Sequence, residues 1–153
     1  MTIEILNESG LDVDVRRLSR LARFVMDAMR VHPQAELCIK AVDEDTIAGL
    51  NQQWMDKEGP TDVLAFPMDE LRPGLVDREP EEGVLGDLVL SPAVAERQGD
   101  EAGHGREAEI DLLTVHGMLH LLGYDHAEPE EHAVMFGLQG ELLEKWRSVP
   151  AEA

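Results

Sequence analysis

Hydrophobic and polar positions along the chain follow two different periods, and the changes between them mark its helices and strands. Alternation at every second residue predicts strands, whereas apolar residues at three- and four-residue steps predict amphipathic helices. The first strand is predicted over 2–6, and the first helix over 13–31, where apolar residues recur at helical steps. The predicted order is strand, helix, strand, helix, strand, strand and then three helices.

Capping and turn residues set the bounds of the middle elements. Further strands are predicted over 35–42, 62–66 and 84–90. Asp43 provides an N-cap for a helix that reaches about Trp54. The acidic stretch 68–83 contains two prolines and is interpreted as an exposed loop or a short hairpin. Ser91 followed by Pro92 predicts another helix start, with serine as the N-cap and proline at the first helical position.

The C-terminal half is dominated by one apolar helix. After a break around 99–105, the helix predicted over 106–122 has apolar residues on most of its circumference, which is typical of a buried central helix. Gly123 is expected to end it, and a last helix is predicted over 128–147. This order predicts an α/β (α+β) fold, with a mixed sheet of about four strands covered by about five helices. Residues 1–150 are expected to form a single domain, and 151–153 a disordered tail.

Composition limits the compartment in which the protein works. The N-terminus lacks the features of a secretory signal, and no apolar run is long enough to span a membrane. Cys38 is the only cysteine, so an internal disulfide is excluded and a reducing cytosol is favoured. Cys38 itself is interpreted as a small buried hydrophobe in a strand. We therefore expect a cytoplasmic protein without a membrane partner.

The charge of the chain is strongly negative. It has 32 acidic residues against 13 lysines and arginines, a formal net charge of −19. Such a field repels nucleic acid at long range, so a function on RNA requires a local basic patch or a bound metal. Arg16, Arg20 and Arg23 form a basic stripe on the first helix and are the best candidates for an RNA contact. A solvated face paired with nearby acids remains the alternative.

The segment with the clearest chemistry is HGMLHLLGYDH, residues 116–126. His116 and His120 lie one helical turn apart on the same face, so both imidazoles can reach one ion. A helix that stops at Gly123 lets the chain turn back, and His126 can then complete the set. Three histidines leave a fourth position for water, as in catalytic zinc sites, although nickel, cobalt or iron also suit three imidazoles. One Zn²⁺ ion is the preferred cofactor.

The residue after the first histidine limits the kinds of hydrolysis that the site can catalyse. The spacing HxxxHxxGxxH is that of metzincin peptidases, which need a glutamate directly after the first histidine as general base. Gly117 occupies that place, which argues against peptide hydrolysis. Another zinc hydrolase, or a non-catalytic binding module with a structural zinc, stays open on the residues alone.

Three sequence blocks resemble the YbeY-type endoribonucleases, which are also described as ribosomal RNA maturation factors. The blocks are the histidine segment, GDLVLS at 86–91 and PTDVLAFP at 60–67, and the resemblance covers nearly the whole chain. It implies a zincin-like domain whose central helix carries HxxxH and holds one zinc on three histidines. It also implies cleavage of single-stranded RNA in 16S rRNA 3′-end maturation and ribosome quality control. The implied partners are ribosomal RNA and the small ribosomal subunit or its assembly proteins, not DNA.

Two positions depart from this family pattern. Met55 stands where family members commonly carry an arginine, and Ala65 replaces the more usual serine. Lys57 is a candidate substitute for the arginine, although a solvated turn lysine is the simpler interpretation. Asp125, beside the third histidine, is a weak catalytic candidate that could equally be a solvated turn residue. For Asp87 a structural role is favoured, and the general acid and base stay unassigned beyond a metal-bound water.

Overall fold

The computed structural model describes residues 2–57, 59, 61–74 and 82–149. Across these residues the elements follow the predicted order. The strands are β1 Thr2–Asn7, β2 Glu36–Ala41, β3 Val63–Pro67 and β4 Val84–Leu90. The helices are α1 Val15–Ala28, α2 Glu44–Met55, α3 Pro92–Ala102, α4 Gly105–Leu121 and α5 Pro129–Ser148.

The strands form one four-stranded mixed sheet in the order β1-β2-β4-β3. The β1–β2 and β2–β4 pairs are parallel, and β3 pairs with β4 antiparallel. The predicted mixed sheet is therefore confirmed, with β1 and β3 at its two edges. Along β2, Leu37 and Ile39 are buried, whereas Cys38 on the opposite face is only half-buried. Cys38 therefore lies in a strand as predicted, but the prediction that it is buried is wrong.

Helix α1 is shorter than its apolar pattern predicts. Asp14 caps it by accepting a hydrogen bond from the backbone N of Arg17, and it ends at Ala28 rather than at residue 31. Met29 and Val31 are buried although the helix has ended, and Arg30 between them has a positive φ of 55°. The periodicity overshoots because these residues still belong to the core after the backbone has left the helix.

The connection between α3 and α4 also differs from the prediction. Ser91 precedes α3, but its side chain makes no capping hydrogen bond, and its buried Oγ has no partner within the described chain. The predicted helix start is confirmed, with Ser91 at the N-cap and Pro92 at the first helical position, although the serine side chain does not cap. Gly99 does not break α3, which continues to Ala102. A Cβ at Gly99 would collide with the backbone of Gly105, so this glycine serves close packing of α3 on α4.

Helix α4 is the central helix, as predicted, and it lies very close to the sheet at one point. Ten of its seventeen residues are buried. A Cβ at Gly117 would lie 2.7 Å from Cδ2 of Leu88 on β4 and 3.3 Å from Cγ2 of Val63 on β3. The histidine-bearing part of α4 therefore packs on the β3–β4 edge of the sheet, while α1 packs beside β1.

Two remaining expectations have different outcomes. No helix among the described residues is long and apolar enough to cross a membrane. The single domain over 1–150 stays a prediction, and the tail 151–153 lies outside the described residues.

Candidate metal centre

The three predicted histidines come together at the end of α4. One ring nitrogen from each of His116, His120 and His126 lies within 4.8 Å of the others. The ring centroids are 4.7 Å apart for His116 and His120, 5.4 Å apart for His116 and His126, and 5.3 Å apart for His120 and His126. The helix supplies two imidazoles one turn apart, and the following loop supplies the third.

The turn after α4 explains how the third histidine reaches the other two. Gly123 has φ +99°, and its N–H donates to the oxygen of His120 at 3.0 Å. The N–H of Tyr124 donates to the oxygen of Leu119, also at 3.0 Å. These two bonds form a Schellman motif, which ends the helix and reverses the chain. Asp125 then accepts a hydrogen bond from the backbone N of His126 at 2.7 Å, holding the returning loop.

The ring of His116 is oriented by a residue on another helix. Its Nδ1 lies 2.8 Å from Oε1 of Gln139, a buried residue of α5. An amide oxygen only accepts, so the proton of a neutral His116 resides on Nδ1 and the lone pair on Nε2. Burial lowers the pKa of His116 most, and the charge of His126 adds to this, against the opposing effects of Gln139 and the Asp62 carboxylate. The neutral, metal-binding form of His116 is therefore favoured.

The pKa of His120 is lowered as well. Burial is again the first cause that lowers its pKa, followed by the charges of His116 and His126. A hydrogen bond with the Tyr124 backbone and the carboxylate of Asp125 act in the opposite direction. The Nε2 atoms of His120 and His116 face each other at 3.1 Å. Neighbouring ligand atoms of a tetrahedral zinc ion are separated by about 3.3 Å, so this pair has the spacing of two ligands.

The donor set fits one zinc or similar divalent ion. Two half-buried, neutral imidazoles and one exposed imidazole converge. Among the described residues no cysteine or carboxylate joins this group. Three protein ligands leave one tetrahedral position for water or substrate, as in catalytic sites, whereas structural zinc sites are usually closed by four.

An aromatic pair flanks the histidines and was not predicted from the sequence. The ring centroid of Phe136 is 5.5 Å from that of His116 and 5.7 Å from that of His126. His132 stacks on Phe136 at 4.2 Å, with 16° between the ring planes. His132, Phe136 and Gln139 are spaced four and three residues apart on α5, so they share one face of that helix. This spacing was the available sequence signal for the second helix of the site.

The two aspartates considered from the sequence occupy different places. Asp125 is exposed beside the histidines, and its carboxylate raises the pKa of His120. Asp87 is on the face of β4 opposite Leu88, the residue that packs on Gly117. Burial raises the pKa of the Cys38 thiol, and Asp87 adds to that shift. This position fits the structural role preferred for Asp87. The carboxylate that raises the pKa of His116 is instead that of Asp62.

Two of the four basic candidates lie apart from the histidines. Arg16 and Arg20 line a hollow with Ile3 and Ile5 of β1. This hollow is at the β1 edge of the sheet, opposite the β3–β4 edge that supports the histidines. Two further exposed basic side chains belong to α1 and to the turn after α2, namely Arg23 and Lys57. Their role in RNA binding stays a prediction.

The mixed sheet, the central helix with HxxxH and the third histidine after a tight turn define a zincin-like domain. A family model described as Endoribonuclease YbeY matches residues 4–147, and the chain belongs to this family. Its similar relatives include an Endoribonuclease YbeY from a Nocardioides species, 79% identical over 97% of this chain and 99% of the relative. Another, from Thermobifida fusca, is 60% identical over 96% of this chain and 95% of the relative.

A solved structure has a similar fold. The solution structure of a protein from Thermotoga maritima is 30% identical to this chain, with a TM-score of 0.63. The match covers 97% of this chain and 93% of that one.

Proposed function

We propose that this chain is a single-strand-specific, metal-dependent endoribonuclease of the cytoplasm that acts in 16S rRNA 3′-end maturation and ribosome quality control. Its proposed cofactor is one Zn²⁺, or another divalent transition metal, on His116, His120 and His126. The observation that carries the metal part is the convergence of three imidazole nitrogens within 4.8 Å. RNA as the substrate is supported by the endoribonuclease description of the family and of the relatives.

The residues around the site have separable tasks in this proposal. A zinc ion, when bound, supplies a Lewis acid for a phosphodiester oxygen and lowers the pKa of a bound water. Gln139 fixes the ring orientation and tautomer of His116. Burial keeps His116 and His120 neutral and able to bind a cation. Asp125 holds the loop by accepting a hydrogen bond from the backbone N of His126, and its exposed carboxylate is the proposed catalytic candidate.

Peptide hydrolysis is disfavoured by packing as well as by composition. Gly117 stands where a metzincin has its glutamate base. The 2.7 Å from a Cβ at this position to Leu88 leaves no room for a side chain directed at the ion. The peptidase alternative therefore needs both a base and a space that Gly117 does not provide.

RNA contact poses a charge problem, because the chain has a net charge of −19. A bound cation supplies positive charge at the scissile phosphate. We propose that Arg16, Arg20, Arg23 and Lys57 contact ribosomal RNA, or the small subunit with its assembly proteins. The double variant Arg16→Glu, Arg23→Glu should weaken RNA association and flatten its salt dependence, compared with Lys145→Glu on α5. An unchanged salt slope contradicts this contact.

The test of the main proposal compares metal content and RNA cleavage in one set of proteins. Wild type should hold one equivalent of zinc and cut single-stranded RNA in preference to a duplex. His120→Ala should lose both, whereas His32→Ala, a histidine outside the cluster, should keep both. Removing zinc from wild type with a chelator and restoring it separates loss of metal from loss of fold.

Two outcomes would contradict the proposal. Cleavage by metal-free His120→Ala at the wild-type rate would mean that the nuclease activity does not belong to this site. A protein that needs zinc to fold but never cuts RNA, and whose fourth position never binds hydroxamate, would be the non-catalytic assembly factor with a structural zinc.

A further inference from the structure

We propose that His132 and Phe136 form a stacking platform for a nucleobase next to the scissile phosphate of single-stranded RNA. The inference rests on the proposed function, since it names the part of the RNA that this face of α5 receives. It concerns base binding and does not require a catalytic role for either ring.

The two rings are arranged as a platform and are accessible. They lie one helical turn apart on α5 and are nearly parallel, 4.2 Å between centroids and 16° between planes. Phe136 is 38% exposed, and His132 is also exposed. Burying such rings in the core would be the ordinary use of a stacked pair. Here the pair lies at the surface beside the candidate metal centre.

The two rings lie close to the histidines that are proposed to hold the scissile phosphate. The Phe136 ring is 5.5 Å and 5.7 Å from the rings of His116 and His126. His132 is stacked on Phe136, and its centroid lies 6.2 Å from that of His126. A phosphodiester held at the histidines has its adjoining base only one ribose away. An aromatic surface at this distance can therefore fix the nucleotide that flanks the scissile bond.

The chemistry of the two rings matches an unpaired base. Single-stranded RNA offers unstacked bases to aromatic side chains, and stacking tolerates any base because each has a π-face. The platform therefore suits single-stranded substrates with little sequence preference.

The experiment measures binding and cleavage of two short single-stranded RNAs by zinc-loaded protein. One oligonucleotide carries all its bases, and its partner has an abasic residue next to the cleavage position. Phe136→Leu should weaken binding of the complete RNA and raise its KM about tenfold, the size of one base–aromatic stack. It should leave the abasic RNA unchanged, since that RNA has no base to lose. His132→Ala should show the same selectivity, and Phe136→Tyr should restore wild-type affinity.

Controls separate this inference from its alternatives. Trp54→Leu removes an aromatic that is 62% exposed on α2 and should bind both RNAs as wild type does. Zinc content is measured for each variant. The inference is overturned if Phe136→Leu binds both RNAs like wild type, which would leave the rings to a protein partner. It is also overturned if affinity falls only together with zinc content, because the rings would then serve to hold His126. Failure of the endoribonuclease proposal is distinct, since wild type would then cut neither RNA.

Discussion

Gln139 on α5 accepts a hydrogen bond from Nδ1 of His116 on α4, at 2.8 Å and across 23 positions of sequence. Because the amide oxygen only accepts, this contact determines which nitrogen of His116 carries its proton and which is free for a metal. Histidine ligands of metals commonly donate their second N–H to such a partner. Gln139 is therefore a positioning residue of the centre although it contributes no ligand atom.

Replacing Gln139 should weaken metal binding without removing a ligand. Gln139→Met retains side-chain length but cannot fix the tautomer of His116, so zinc affinity should fall about 10- to 100-fold. Gln139→Glu supplies a stronger acceptor and should retain wild-type affinity or exceed it. Competitive zinc titration measures both, with Gln52→Met on α2 as an exposed control. Equal affinities of Gln139→Met and wild type would show that the hydrogen bond does not serve the metal.

Gly123 connects backbone conformation to the position of the candidate ligand His126. Its φ of +99° is unfavourable for any residue with a Cβ, and a Cβ there would also lie 2.8 Å from Cζ of Arg72. Gly123→Ala should lower the free energy of unfolding by about 1–2 kcal/mol and displace the turn that returns His126. Zinc affinity should fall as well. Denaturant unfolding and zinc titration are the two measurements.

The matched control for this glycine is Gly49 in α2. A Cβ at Gly49 meets nothing within 4 Å, and alanine has the higher helix propensity. Gly49→Ala should therefore raise stability by up to about 1 kcal/mol and leave zinc affinity unchanged. If Gly123→Ala and Gly49→Ala behave alike, the turn does not constrain the third ligand.

The pattern of hydrophobic and polar residues predicted the helices and strands well, because the signals for each one lie within its own segment. Strand alternation, the Asp43 cap and the apolar circumference of α4 all lie within single segments. The spacing of His116, His120 and His126 also predicted the geometry of the cluster, because a helical turn and a glycine suffice to bring the three rings together.

Long-range pairing was not readable in the same way. Which face of α5 meets α4 depends on the packing of two helices, so Gln139 and Phe136 could not be assigned to the site from their own segment. Ser91 and Pro92 mark the start of α3 as predicted, but the buried side chain of Ser91 makes no capping hydrogen bond. The local sequence predicted where the helix begins, whereas the packing between β4 and α3 determines what the serine side chain contacts.

Gly117 should prove to be a packing requirement. A Cβ at this position would be 2.7 Å from Leu88, so Gly117→Ala overpacks the contact between α4 and the sheet. The expected loss of stability is about 1–3 kcal/mol. Combining it with Leu88→Ala should cost less than the sum of the two single changes, because the smaller residue removes the clash. Strict additivity in urea unfolding would contradict the close contact.

The ion pair between α1 and α4 leads to a prediction about pH. Nη1 of Arg17 donates to Oδ1 of Asp111 at 2.8 Å, and Nη2 donates to Oδ2. Asp111 is 5% exposed. Burial is the main cause that raises its pKa, and Arg17 opposes that rise. For Arg17, burial lowers the pKa but the bond and charge of Asp111 outweigh it, so the guanidinium stays charged.

Removing the cation should therefore destabilise the protein most where Asp111 is ionised. Arg17→Met leaves a buried, unpaired carboxylate, at a cost of about 3–5 kcal/mol near neutral pH. In this variant the pKa of Asp111 rises further in the folded state, so the folded protein takes up a proton that the unfolded chain does not yet bind. The penalty should then shrink as the pH falls towards that raised pKa. Urea unfolding at about pH 5 and about pH 8 measures the difference. The double variant Arg17→Met, Asp111→Leu lacks both charges, so it should recover much of the stability and lose this pH dependence. If the loss of stability in Arg17→Met is equal at both pH values, Asp111 is not the group responsible.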